Sequence, residues 1–144
     1  MTRTQRLHPV VQHADKKEQR ALQEVAQSQS VLEGEQKRLA QLQEYKLDYL
    51  QKKKYDIGVF TPIELQEFNR FMQQLDQTIV HQIDLVELRQ RELEQKRQQW
   101  TVTRIDSNKM HKVVDRLKQQ EFTEQERKEQ KALDEFAQRN SRRR

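Results

Sequence analysis

Starting at Leu7 and stepping alternately four and three residues, the chain presents Leu7, Val11, Ala14, Glu18, Ala21, Val25, Ser28, Leu32, Glu35, Leu39, Leu42, Lys46 and Tyr49. Nine of these thirteen positions are apolar, against 33% for the whole chain. So narrow a stripe cannot wrap around a globular core; it is the seam of a coiled coil. A second series, Leu65, Met72, Ile79, Val86, Leu93 and Trp100, recurs every seven residues, is interrupted at Ser107 and resumes at Val114. Its companion positions are Phe68 and Leu75, then the polar Gln82, Arg89, Lys96 and Thr103, then Met110 and Leu117. The second seam is therefore thin in its middle. A sustained seven-residue repeat predicts left-handed supercoiling.

Between the two series lies "KKKYDIGVFTPIELQEF". It holds Gly58 and Pro62, in a chain with only two glycines and two prolines. Gly58 is expected to take the left-handed conformation that ends a helix. Thr61 suits an N-cap, Pro62 the first helical position, and Glu64 completes a T-x-x-E capping box. A stop and a start this close together predict a reversal rather than one continuous kinked helix. The expected fold is all-α: a long two-helix antiparallel coiled-coil hairpin, one domain over 1–144. Its parts are a helix over about 6–57, a turn over about 58–61, a helix over about 62–139 and a basic tail over 140–144. Facing residues should have numbers adding to roughly 119, and the second helix should outrun the first by roughly 25–30 residues at 1.5 Å each. That overhang carries few apolar residues, among them Phe122, Leu133 and Phe136, and is expected to fray or to await a partner.

Composition agrees with long helices and narrows the chemistry. Charged residues make up 35% of the chain and mean hydropathy is −1.21, too little apolar material for a sizeable core. Gln, Glu, Lys, Arg, Leu and Ala dominate, and all are good helix formers. The absence of cysteine removes thiolate and disulfide chemistry. No apolar run approaches a membrane span and no secretory leader is recognisable, so a cytoplasmic location is expected, with any membrane contact made only through protein partners. His8, His13, His81 and His111 form no metal-binding pattern, and no phosphate loop or nucleophile elbow is present. No enzyme activity, catalytic residue, cofactor or metal is expected. The net charge of +5 raises nucleic acid as a ligand. Acidic and basic residues are, however, interleaved along both helices instead of sorted into a stripe. The basic clusters are Lys52, Lys53 and Lys54 beside the turn, and Arg139, Arg142, Arg143 and Arg144 at the end.

One cluster exceeds what a seam can bury. Leu42, Tyr45 and Tyr49 share a helix face, as do Phe71, Leu75, Thr78 and Gln82, and the expected register sets the two groups at one height. A two-helix seam admits about two positions in seven, so Phe68, Phe71 and Met72 cannot all enter it. The surplus is either a wider core near the turn or an exposed partner site.

The stretches "LAQLQEYKLDYLQKK", "LQEFNRFMQQLDQTI" and the terminal "LDEFAQRNSRRR" resemble the flagellar export protein family FliJ over nearly the whole chain, the run Asp134 to Arg139 most specifically. The resemblance implies a stalk-like antiparallel coiled coil of the flagellar type III export apparatus. It implies binding to the hexameric export ATPase through the chain termini, here Leu133, Phe136 and Arg139. It further implies binding to the cytoplasmic domain of the membrane export gate through Leu42, Tyr45, Tyr49, Phe71 and Leu75, and recycling of export chaperones. Three positions depart from the family pattern: Arg38 stands where Gln is usual, Thr78 replaces a small apolar residue, and Gln82 stands where His is expected. Two alternatives stay open. A stalk or adaptor of a related injectisome is disfavoured by the run Asp134 to Arg139, and a basic nucleic-acid-binding hairpin would show salt-sensitive DNA binding.

Overall fold

The computed structural model describes residues 2–55 and 57–143. Helix α1 runs Arg3–Lys54, a single 3₁₀ turn covers Ile57–Val59, and helix α2 runs Pro62–Arg142. The two long helices pack antiparallel, and no strand occurs among the described residues. Two compact units are distinguishable. One joins residues 21–54 of α1 to the turn and to α2 as far as Trp100; we call it the turn unit. The other pairs residues up to Arg20 with residues from Thr101 onward; we call it the terminal unit.

Each helix begins on a reciprocal capping box. At α2 the Glu64 N–H donates to Thr61 Oγ1 at 3.2 Å, and the Thr61 N–H donates to the Glu64 carboxylate at 3.3 Å. At α1 the Gln5 N–H donates to Thr2 Oγ1 at 3.2 Å, and the Thr2 N–H donates to Gln5 Oε1 at 3.1 Å. Two amide donors that a helix start would leave unpaired are satisfied each time. The second box explains why α1 starts at Arg3 rather than near residue 6. The cost falls on Pro9, which now lies in the second turn, where its missing N–H and its ring both oppose the helix.

The turn differs from expectation. No glycine has a positive φ, so Gly58 is not a left-handed cap. The chain instead leaves α1 at Lys54 and passes through the right-handed 3₁₀ turn that contains Gly58. A Cβ atom at Gly58 would meet nothing within 4 Å. The basic tail is also not separate: the helix continues through Asn140 and Ser141 to Arg142, and Arg144 lies outside the described residues.

The seam lies where the periodicity places it. All thirteen stepped positions of α1 are buried or half-buried. Along α2 the same holds from Phe68 to Leu117, while Leu65, beside the turn, is exposed. In the turn unit Leu32, Val86 and Leu93 form the apolar core, flanked by Val25 and Leu39. In the terminal unit Val11 and Val114 are the buried apolar pair. The polar gaps in the seam are filled by cross-helix hydrogen bonds. Gln82, 6% exposed, donates from Nε2 to both the backbone oxygen and the carboxylate of Glu35. Ser107, also 6% exposed, donates to Asp15 Oδ1 at 2.8 Å, and His111 Nε2 lies 2.8 Å from the same oxygen. Lys46 pairs with Asp76, and Lys96 with Glu24. The numbers of facing residues add to about 117 at Glu35 and Gln82 and about 125 at Thr4 and Glu121, bracketing the expected register.

Candidate partner-binding surfaces

Around the turn, five aromatic rings form one chain of contacts. Tyr49 stacks on Phe68 with centroids 5.7 Å apart and tilts against Phe71 at 4.7 Å. Tyr45 meets Tyr49 at 6.3 Å and Phe71 edge-on at 6.4 Å, and Phe60 meets Phe68 at 5.9 Å. Lys53 Nζ lies 5.8 Å from the Tyr49 ring centre and 5.6 Å from that of Phe60, within cation–π range. Helical spacing brings these rings together. Tyr45 and Tyr49 are four apart on α1 and Phe68 and Phe71 three apart on α2; Tyr49 and Phe68 are seam positions, and Tyr45 and Phe71 lie beside them.

The residues of the sequence-derived patch therefore divide by exposure. Leu75 is buried in the seam, which leaves it little surface to offer a partner. Leu42, Tyr49 and Phe71 are half-buried. Tyr45 is 51% exposed and is the outermost member of the cluster. Phe68, Phe71 and Met72 are all half-buried, so the aromatic surplus is neither fully enclosed nor fully exposed. Of the three departures from the family pattern, Thr78 is exposed and donates to the Gln74 backbone oxygen at 2.9 Å. Arg38 is exposed. Gln82 faces Glu35 in the seam and so does not extend the outer patch.

The terminal unit offers a second surface. Toward the start of α1, Glu121 accepts hydrogen bonds from the Thr4 N–H at 3.2 Å and from Thr4 Oγ1 at 2.9 Å, a carboxylate set against the positive N-terminal end of that helix. Beyond Glu121, every described residue from Glu124 onward is exposed. Phe122, Leu133 and Phe136, spaced by 11 and by 3 residues, share one face of the helix here, beside the seam series and not on it, and Leu133 and Phe136 are each 64% exposed. The helix is continuous here, and Arg139 is exposed near its end.

Among the described residues no group of three or more His, Asp or Glu side chains could hold a metal ion. The Asp15, Ser107 and His111 trio is a constellation that the periodicity does not reveal. Ser107 reads in sequence as a seam interruption, and His111 as a solvated residue one turn further on. Their i, i+4 spacing places both beside Asp15. Hydrogen bonds from His111, then from Ser107, hold the Asp15 carboxyl below its ordinary value. Ser107 and His111 both address Asp15 and not each other, so the trio is a cross-link between helices and not a relay to a nucleophile. No helix among the described residues is long and apolar enough to cross a membrane.

A long antiparallel helix pair with a seam of alternating apolar and polar cross-links and an aromatic surplus at one turn defines a coiled-coil protein. The chain belongs to the FliJ family: residues 3–144 match the family described as "Flagellar FliJ protein". Neither a curated protein nor a solved structure matches it. Membership gives the chain a flagellar export-related role.

Proposed function

We propose that the protein is a coupling factor of flagellar export, binding the hexameric export ATPase through the exposed end of α2 and the cytoplasmic domain of the export gate through the aromatic edge near the turn. The observation that carries this reading is the stretch of α2 beyond Glu121. It stays helical although nothing among the described residues covers it, and it displays Phe122, Leu133 and Phe136 along one stripe. An isolated helix with so little to bury is marginal, so a stripe of this kind is fitted to a surface that another protein supplies. Leu133, Phe136 and Arg139 are the residues assigned to the ring. Burying one such Phe is worth about 1.5–3 kcal/mol, enough for a ten-fold or larger change in affinity. At the gate, Tyr45 leads, supported by Tyr49, Phe71 and Leu42, with Leu75 holding them from within the seam. Chaperone recycling belongs to the same reading through the family. The protein itself hydrolyses nothing; it biases its partners by binding one of their conformations better than another.

The test is truncation before Asp134. The truncated chain is expected to keep its helix content, because the paired seam is untouched, and to keep binding the gate domain. It should no longer stimulate the export ATPase. Equal stimulation by truncated and full-length chains, titrated against the ATPase, would remove the ring assignment.

A further inference from the structure

The three most exposed large hydrophobic side chains among the described residues are Tyr55, Val59 and Ile63, at 86, 80 and 69%. All fall within nine residues, and together they make the tip of the hairpin turn. None belongs to the seam or to the ring cluster beneath it. Immediately before the tip, α1 ends in Lys52, Lys53 and Lys54. Successive helical residues point about 100° apart, so three in a row encircle the last turn instead of marking one side. Lys52 and Lys54 are exposed and make no ion pair among the described residues, while Lys53 lies against the Tyr49 and Phe60 rings. Of the acidic neighbours, Glu64 is engaged by the Thr61 amide, Asp48 stands one turn from Lys52 but forms no ion pair with it, and Asp56 is outside the described residues. The lysines do suit the negative end of the α1 dipole. That accounts for the charge but leaves an uncovered aromatic and two uncovered β-branched side chains without a reason.

We propose that the hairpin tip is a membrane-contacting element: Tyr55, Val59 and Ile63 enter the interfacial region of an anionic bilayer while the ring of lysines lies at the headgroups. An apolar point collared by cations has the distribution of an interfacial anchor. Long lysine stems let the amines remain at the phosphates while the apolar tip goes deeper. A protein partner fits less well, because a stable protein interface takes about 800 Å² from each side and one tight turn presents far less. The contact is weak and reversible, and it acts beside the gate-binding surface without depending on it. It departs from the sequence-based expectation that the membrane is met only through protein partners.

The test uses the full chain with vesicles of phosphatidylcholine alone and of phosphatidylcholine mixed with phosphatidylglycerol. Sedimentation with the anionic vesicles, lost at high salt and absent with the neutral ones, is expected. Lys52→Gln with Lys54→Gln should lower the partition at least ten-fold, since each lysine near an anionic surface is worth about five-fold. Val59→Ser with Ile63→Ser should abolish it with unchanged circular dichroism, as neither side chain is packed. The chain has no cysteine, so Val59→Cys carries a single environment-sensitive dye. Its emission should shift to the blue with anionic vesicles, and that of a dye at Val102→Cys should not. Wild-type protein that fails to sediment, or sedimentation that survives both pairs of substitutions, overturns the proposal. So does loss of binding to the purified gate domain in the serine variant with vesicle binding intact, which would make the tip a protein dock.

Discussion

At the scale of single residues, two side chains bear a measurable cost or dependence. Pro9 removes one helical hydrogen bond and crowds the preceding turn of α1, because the Thr2 capping box starts the helix early enough to put it in the second turn. Pro9→Ala should therefore stabilise the protein by about 1–3 kcal/mol, seen as a higher midpoint in thermal unfolding followed by circular dichroism; a lower midpoint would mean that the proline fits its site. Asp15 gives a pH dependence. Hydrogen bonds from His111 and Ser107 depress its pKa in the folded state, so the folded state holds the proton less tightly than the unfolded chain. The stabilisation is present above the unfolded value and is lost as pH falls through the folded one, below about pH 4. Denaturant midpoints measured down that range should fall less steeply for Asp15→Asn than for the wild type. The effect is small, since the carboxylate is partly in water.

At the scale of elements, the seam was legible and its polar cross-links were not. Hydrophobic spacing located every buried position of α1, because a side chain's period along one helix depends only on helix geometry. The partners of Gln82 and Ser107 depend on which residues the second helix brings opposite, and a one-dimensional pattern records no such pairing. The turn was half legible for a related reason. The T-x-x-E box is a local hydrogen-bond motif and reads directly, as T-x-x-Q at residues 2–5 also would have. A glycine near a helix end is compatible with a left-handed cap or with a 3₁₀ turn, and the chain uses the second. Exposure within the aromatic cluster was likewise undecided until the register was known, and Leu75, a seam position by its spacing, is buried there. These cross-links predict specificity more than strength. A satisfied buried polar group adds little net stability but penalises any register that leaves it unpaired. Gln82→Leu should raise the melting temperature while adding larger species in sedimentation velocity, as the hairpin gains alternative pairings. A single monomeric species would show that register is set elsewhere.

At the scale of the whole molecule, the proposed role requires both surfaces on one chain. Tyr45→Ala, chosen because Tyr49 also supports the ring cluster, should bind the export gate domain less well while stimulating the ATPase normally. The truncation before Asp134 should do the reverse. Expressed together in cells lacking the native protein, the two should fail to restore motility, since neither molecule links both partners. Restoration would show that the two activities are separable and that no linkage is needed. The connectivity also has a consequence in time. Lys46 and Asp76 are 30 residues apart in sequence, whereas Thr4 and Glu121 are 117 apart. Closing the longer loop first would cost about 1.2 kcal/mol more entropy, roughly two doublings of length. Pairing is thus fastest beside the turn and advances outward like a zip. Contacts such as that of Thr4 with Glu121 are the last to be made and the first to come undone.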